Sequence, residues 1–479
     1  MSTPSRPWTL AITAIVFVMV TLDALVVVTA LPAIHRELGA DLAQLEWTVN
    51  AFSLTFAAFI ITAAALGDRF GRRRVFVIGL AVFTIASAAC ALAPTAGALV
   101  AARAVQGIGA AMIMPLSLTL LVAAFPPERR GAVIGLWGAL GGLGVAGGPL
   151  VGGAVTQGLD WHWIFWINVP IGIVAIALSQ LRLLESRGPA TRLDPVAVGL
   201  VGAGATGVVW GLIRAGEIGW GAAEALAGVA AGAALLVAFV GWEARASEPM
   251  LPLRLFGSRA FFAAIVTSFL LTGSLFAGAF LGSQFFQLGL GYSPLETGLR
   301  ILPWTATPLF ISPIGGVLSD RIGRRPVLVI GLALQAAGFL WLASVASTAT
   351  AYLLMIVPLL VAGVGISLAL PAAATAVVSA VSPGDVGKAS GVNGTMQRFG
   401  SSFAVALAAA VFAANGTLAS PAAFVAGFRP ALIVVAGLAL LGALTAVGVD
   451  GPRRVASARP AIDGPTPAAS TAATNESIG

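Results

Sequence analysis

Fourteen long apolar stretches, joined by short loops, leave this chain few ways to fold. They run approximately over Thr9–Ala33, Trp47–Leu66, Val75–Ala93, Ala96–Ala124, Gly131–Val155 and Ile164–Leu181. Two follow, Pro195–Ile213 and Ala222–Gly241. The last six are Ala260–Gln284, Gly298–Leu318, Val327–Ser344, Tyr352–Val378, Lys388–Ala413 and Phe424–Val449. About 20 apolar residues in a helix cross the hydrocarbon of a bilayer. Inside lipid each such segment must satisfy its own backbone hydrogen bonds, which a helix does. The expected fold class is therefore all-α integral membrane. With 58% hydrophobic and 9% charged residues, the chain cannot supply the surface of a soluble domain, which carries roughly 25% charged residues.

Loop charge sets the orientation. With the N-terminus inside, about 20 Arg and Lys residues fall in inner loops and 4 in outer ones, namely Arg36, Arg214, Arg300 and Arg429. That asymmetry places both termini in the cytoplasm. The net charge of +7 is read as this bias, not as a nucleic-acid footprint. Cys90 is the only cysteine, so no intrachain disulfide can form. Arg6 and the apolar run after it mimic a signal peptide, but the run is longer than a signal h-region and further spans follow. After Asp450 the composition turns to Pro, Ala, Ser and Thr, which predicts a disordered tail.

Two basic turns repeat one pattern, Gly-x-Leu-x-Asp-Arg-x-Gly-Arg-Arg. The second is complete: Gly316, Leu318, Asp320, Arg321, Gly323, Arg324 and Arg325. The first is Leu66, Asp68, Arg69, Gly71, Arg72 and Arg73, with Ala64 at the leading position. Glycine allows the tight turn, and the arginines hold the loop on the inner side. Within the spans, charges are costly and mark function by default. Asp23 lies roughly 21 Å along the first helix, and Arg103 roughly 10 Å below the opposite face, so the two share a depth. We expect Asp23 to bind and release a proton with Arg103 as its electrostatic partner, a static ion pair being the bland alternative. Gln106 shares a helix face with Arg103. Asp23 is read as the one clear carboxylate buried in a span, which favours neutral or monocationic cargo. Arg398 falls near mid-span, where structural pairing and substrate contact both remain open. His35 and His162 fall in outer loops and receive no proton role.

The fifth stretch carries Gly144, Gly148, Pro149, Gly152 and Gly153. Small residues allow close helix approach, and the proline interrupts the hydrogen-bond ladder. Together with the repeated turns, Arg103-x-x-Gln106-Gly107-x-Gly109, the Leu22-Asp23 stretch ending Ala30-Leu31-Pro32, and Trp161-x-Trp163-Ile164-Phe165-x-Ile167-Asn168-Val169-Pro170, this resembles the major facilitator superfamily. Within it, the chain is similar to the fourteen-span drug/proton antiporters over roughly residues 9–450. Departures are Ala24-Leu25 for a small polar pair and His162 for a common arginine.

The resemblance implies two six-helix halves, 1–181 and 260–449, with two extra central helices and linkers at 182–259 and the tail at 450–479. It implies that Asp68, Arg69, Gly71 and Arg72, and likewise Asp320, Arg321, Gly323 and Arg324, gate the inner face. Asp68 would meet the helix beginning near Lys388, and Asp320 the one beginning near Gly131. Candidate substrate contacts are Asn50, Gln106, Met112, Trp137, Trp304, Gln335, Asn393 and Gln397. The function implied is proton-coupled export of amphipathic drugs, dyes or antibiotics from a bacterial inner membrane, the alternative being export of one cognate metabolite. No cofactor or metal is expected, the proton gradient being the driving force. The expected partners are protons, lipid and a small amphipathic cargo, with the protein as a monomer. A membrane enzyme would need metal-binding or catalytic clusters that the sequence lacks, and a sensor would not need two latches.

Overall fold

The computed structural model describes residues 6–188, 194–246, 249, 251–382 and 385–449, without the side chains of 127, 128, 131, 132, 135, 139, 145 and 146. The expected tail and Arg192 lie outside these. Fourteen helices are long and apolar enough to cross a membrane, and no strand occurs among the described residues. They are α1 Arg6–Leu38, α2 Leu42–Phe70, α3 Arg72–Ala91, α4 Ala96–Ala124, α5 Pro127–Gly158, α6 Trp163–Arg182 and α7 Pro195–Ile218. Then follow α8 Ala223–Glu243, α9 Arg259–Gly289, α10 Pro294–Ile322, α11 Arg324–Val345, α12 Tyr352–Ser379, α13 Val386–Asn415 and α14 Pro421–Ala446.

Several helices outrun their apolar cores because polar caps carry the backbone beyond them. Asp41 and Gln44 form a reciprocal capping box at the start of α2, and Ser293 and Glu296 form another at α10. Pro195, Pro294 and Pro421 each sit in a first turn, where no N–H is required. The two repeated turns have matching geometry. Gly71 (φ 110°) ends α2 and opens α3, and Gly323 (φ 95°) does the same between α10 and α11. A side chain is strained at those angles. The face that carries these turns is the arginine-rich face.

One expected span is not a single rod. Between Pro303 and Pro308, α10 breaks at Ala306 into Pro294–Thr305 and Thr307–Ile322. Proline removes a backbone donor and clashes with the preceding turn, which hydropathy does not register. Similarly α6 turns at Ile167, and α9 ends in a π-turn over Phe285–Gly289.

The helices pack as two repeats. In the first, α1 lies on α5, α2 and α3 on α4, and α3 on α6. In the second, α9 lies on α13, α10 and α11 on α12, and α11 on α14. The repeats meet along α2–α13 and α5–α10. The α7–α8 pair sits outside this arrangement, with α7 against both α2 and α13.

At the face opposite the arginine-rich one, α5 and α10 touch backbone to backbone. A Cβ at Gly153 would stand 2.2 Å from the Pro294 carbonyl oxygen, and one at Gly298 would stand 2.6 Å from that of Pro149. Leu295 N donates to Gln157 Oε1 at 3.1 Å across the same contact. Against the other piece of α10, Thr307–Ile322, α5 makes far less contact. The opposite face is thus sealed along this seam. We predict that Gly298→Val forces it apart. Spin labels on the ends of α5 and α10 at that face should report a longer distance in Gly298→Val than in the wild type; an unchanged distance refutes the backbone seal.

Candidate functional site

Asp23 and Arg103 meet. Arg103 Nη1 donates to Asp23 Oδ2 at 2.5 Å, and both side chains are essentially inaccessible, at 1% and 0% exposure. Two neutral amides complete the carboxylate's coordination. Gln106 Nε2 donates to Asp23 Oδ1 at 3.0 Å, and Asn168 Nδ2 donates to the same oxygen at 2.8 Å. Three donors on one carboxylate is the pattern an ionised acceptor takes. Ser87 Oγ receives the same two amides, at 2.7 Å from Gln106 and 3.1 Å from Asn168. Arg103 is held in turn. Its Nε donates to the Thr48 carbonyl at 3.2 Å, its Nη1 also donates to Gln106 Oε1 at 2.6 Å, and its guanidinium lies 4.3 Å from the centre of the Phe52 ring. A desolvated cation gains from such a face.

The five residues that carry this chemistry come from α1, α3, α4 and α6. Each local choice has a reason. Asp23 and Arg103 share a depth, Gln106 follows Arg103 by one helical turn, and the break at Ile167 lets α6 restart with Asn168 aimed inward. Asn168 and Ser87 were not among the residues the sequence singled out for this role. The available signal was a polar side chain within an apolar span, which alone does not separate packing from function. Because all five belong to one repeat, rocking one repeat against the other does not part them. Access to the carboxylate has to change through the helices around it.

The glycines of α5 form that surround. A Cβ at Gly144 would stand 2.3 Å from Thr21 Oγ1, one at Gly148 would stand 2.8 Å from Leu25 Cβ, and one at Gly152 would stand 2.8 Å from the Val26 carbonyl. These three lie against α1 on either side of Asp23. Gly153 and the Pro149 carbonyl face α10 instead.

At the arginine-rich face Asp68 accepts from Arg72 Nε at 2.8 Å, and its backbone carbonyl accepts from Gly188 N. Glu185 accepts from Arg73 N and Arg74 N at the start of α3. In this arrangement Asp68 is held by its own turn and by residues 185–188, not by the helix beginning near Lys388. The acid at that helix start is its own Asp385, whose carboxylate is bound by Arg254 at 2.5 Å and Ser382 at 2.8 Å. Asp320 and Arg321 are exposed.

The substrate candidates separate into two groups. Gln106 is engaged at both ends of its amide by the Asp23 cluster. Trp137 donates to the Thr13 carbonyl at 3.3 Å and stacks on Phe17 at 3.8 Å. Met112 packs beside Gly79, and Gln335 donates to Ser274 at 3.0 Å. These four are engaged within one repeat, although Gln335 Oε1 is buried without a hydrogen-bond partner. Asn50, Trp304 and Asn393 also keep buried polar atoms without a hydrogen-bond partner, and Gln397 is half-buried. Arg398 reaches across the seam, 4.3 Å from the centre of the Phe56 ring on α2.

A profile of the Major Facilitator Superfamily matches residues 13–311 and 304–475. The chain belongs to this superfamily. It is 37% identical over 339 residues to the tetracenomycin C resistance and export protein of Streptomyces glaucescens, covering 70% of this chain and 63% of that one. It is 36% identical over 410 residues to multidrug resistance protein Stp of Mycobacterium tuberculosis (strain ATCC 25618 / H37Rv), covering 85% and 76%. The fold matches that of a peptide transporter solved with sulfate, at TM-score 0.68 and 15% identity over 93% of this chain and 94% of that one. This is a transporter family, and the protein is a multi-pass membrane protein.

One reading of this transporter's sequence needs correction. Asp23 is not the only carboxylate buried in a span. Glu46 on α2 is 3% exposed and Glu243 at the end of α8 is 2% exposed. Glu46 was misjudged because it lies one turn from the end of its apolar run, where acids usually reach water. Here α2 starts at Leu42, so Glu46 lies within the helix and is buried, and its Oε2 has no hydrogen-bond partner. The bias towards neutral or monocationic cargo that rested on a single acid falls with it.

Two measurements check the energetics. Removing Arg103 leaves a buried carboxylate without its counter-charge, which costs about 3–5 kcal/mol. Arg103→Ala should therefore melt far below wild type in detergent, and Asp23→Asn combined with Arg103→Gln should recover much of the loss. Glu46→Leu should melt no lower than wild type, and higher if it relieves the about 1–3 kcal/mol cost of an unsatisfied buried polar atom. A clear fall in its melting temperature would show that Glu46 is held by partners.

Proposed function

We propose that this transporter exchanges protons for an amphipathic drug, dye or antibiotic, exporting the cargo by alternating access. The arginine-rich face and both termini lie in the cytoplasm of a bacterial cell, following the loop charge asymmetry. The observation that carries the reading is the Asp23 cluster, a fully buried acid with one cation and two amides. A buried acid within a span is the group through which a proton is taken up and released. The roles for which the relatives are named, resistance and export, support outward movement of cargo.

The working unit is a monomer in lipid, with protons and a small molecule as its only partners. The driving force is the proton gradient, with no cofactor. Asp68, Asp320 and their arginines act as latches that engage when the arginine-rich face closes. Asn50, Trp304, Asn393 and Gln397 are the side chains best placed to meet cargo. A second reading, export of one cognate compound, is favoured by the relative named for tetracenomycin C.

Transport into liposomes under a pH gradient tests the proposal. Wild type should drive cargo against its concentration gradient, with matching proton flux, and Asp23→Asn should lose the drive while still binding cargo. Undiminished coupling in Asp23→Asn would remove the proton role. A susceptibility panel in an efflux-deficient bacterium separates the two cargo readings: protection against several unrelated compounds supports broad export, and protection against one supports the second reading.

A further inference from the structure

The two helices between the repeats enclose a space of their own. An apolar cavity of about 470 Å³ lies between α7–α8 on one side and the α2–α13 seam on the other. Well-packed interiors rarely leave voids larger than a water molecule, and ligand pockets run from roughly 300 to 1,000 Å³. Val201 and Val209 on its α7 wall lie six and fourteen residues from Pro195. That places the cavity roughly 9–21 Å from the arginine-rich face, around the midplane of a hydrocarbon core roughly 30 Å thick.

Its lining defines the ligand. No charged residue contributes. Five rings do: Phe239, Phe256, Phe269, Phe399 and Phe403. Aromatic faces favour stacking or edge contact with other rings. One lining hydroxyl stands apart. Thr395 is 8% exposed, and its Oγ1 is buried without a hydrogen-bond partner. A helical threonine ordinarily returns its hydroxyl to the preceding turn, as Thr375 does to the Pro371 carbonyl at 3.0 Å. Thr395 has not done so, and a turn about its χ1 brings that hydroxyl to the cavity wall.

We propose that the α7–α8 pair builds a binding site for an uncharged, ring-bearing lipophilic molecule with one polar group, drawn from the surrounding bilayer. Thr395 supplies the single hydrogen bond and the phenylalanines supply the shape. Such a ligand comes from one of two sources, cargo dissolved in the membrane or a resident membrane component. The site itself does not depend on proton coupling; only its use for cargo rests on the export reading.

Photolabelling of the full chain in phosphatidylcholine nanodiscs tests this. The probe is an uncharged aryl-trifluoromethyl diazirine bearing one hydroxyl, with adducts mapped by mass spectrometry. Adducts should concentrate on the five phenylalanines and Met396 over lipid-facing controls such as Leu353, which is 76% exposed. Ala205→Trp should fill the chamber and bring those adducts down to the control level without lowering the melting temperature. Should that variant fail to fold, Ala58→Phe fills it from the opposite wall. Thr395→Val should weaken half-saturation about fivefold, the worth of one neutral hydrogen bond.

Competition by a compound the protein exports supports the cargo source. Competition by extracted membrane lipids, and not by exported compounds, supports the resident source. Labelling that is uniform over lining and lipid-facing residues overturns the site, as does displacement by straight-chain fatty acid but not by ring compounds. Asp23→Asn should keep the adducts, so a failure of proton coupling is distinguishable from a failure of this site.

Discussion

The structure depends on keeping one carboxylate inside hydrocarbon. An isolated ionised carboxylate in such a medium is prohibitively costly, and proteins neutralise or pair it. Asp23 is paired with Arg103 and bonded to Gln106 and Asn168, while Arg103 is further occupied by the Thr48 carbonyl and the Phe52 ring. Such a cluster requires four helices to converge within a few ångströms. The apolar stretches supply the burial, but only a specific set of short polar side chains supplies the compensation. The glycines of α5 then let its backbone lie against α1 on both sides of the acid, where any larger residue would clash.

The repeats share architecture without sharing chemistry. Gly71 and Gly323 form equivalent turns, and the packing order of the six helices recurs. At the corresponding helix pair of the second repeat, α9 and α11, Gln335 donates to Ser274 at 3.0 Å. That neutral bond fixes α9 against α11 much as the Asp23 cluster fixes α1 against α3, but it has no charge to titrate. Duplicated packing therefore set a common frame, and one copy carries the ionisable group.

Much of this was legible before any coordinates. Burying fourteen apolar runs in lipid admits only helices, and equal depth already brought Asp23 and Arg103 together. What escaped was orientation about each helix axis. Gln106 and Asn50 are both polar residues in apolar spans, yet one is fully bonded within its repeat and the other is unpartnered at its buried site. Hydropathy does not encode which way either points. Ser87 and Asn168 were hidden for the same reason. Glu46 escaped because a residue near a span end is assigned to water by position, while tertiary packing decides whether water reaches it. The break at Ala306 was foreshadowed by two prolines five residues apart, a signal that mean hydropathy averages away.

The α5 helix joins the acid to the seam. Its Gly144, Gly148 and Gly152 face α1, while Gly153 and the Pro149 carbonyl face α10 of the other repeat. The α10 contact is backbone to backbone, and the α1 contact sets the α5 backbone against Thr21, Leu25 and Val26, so neither leaves room for a side chain on α5. Parting α5 from α10 must either carry α1 along, disturbing the surroundings of Asp23, or bend α5 within the turns that make both contacts. Proline removes one backbone hydrogen bond and lowers resistance to bending where it stands. Pro149 stands among these contacts: Gly144, Gly148 and Gly152 touch α1, while Gly153 and the Pro149 carbonyl touch α10, so the two sets alternate along the same turns. The helix is therefore most compliant at the register where the two constraints meet. The α1 helix that carries Asp23 and the seam with α10 thus rest on the same few residues of α5.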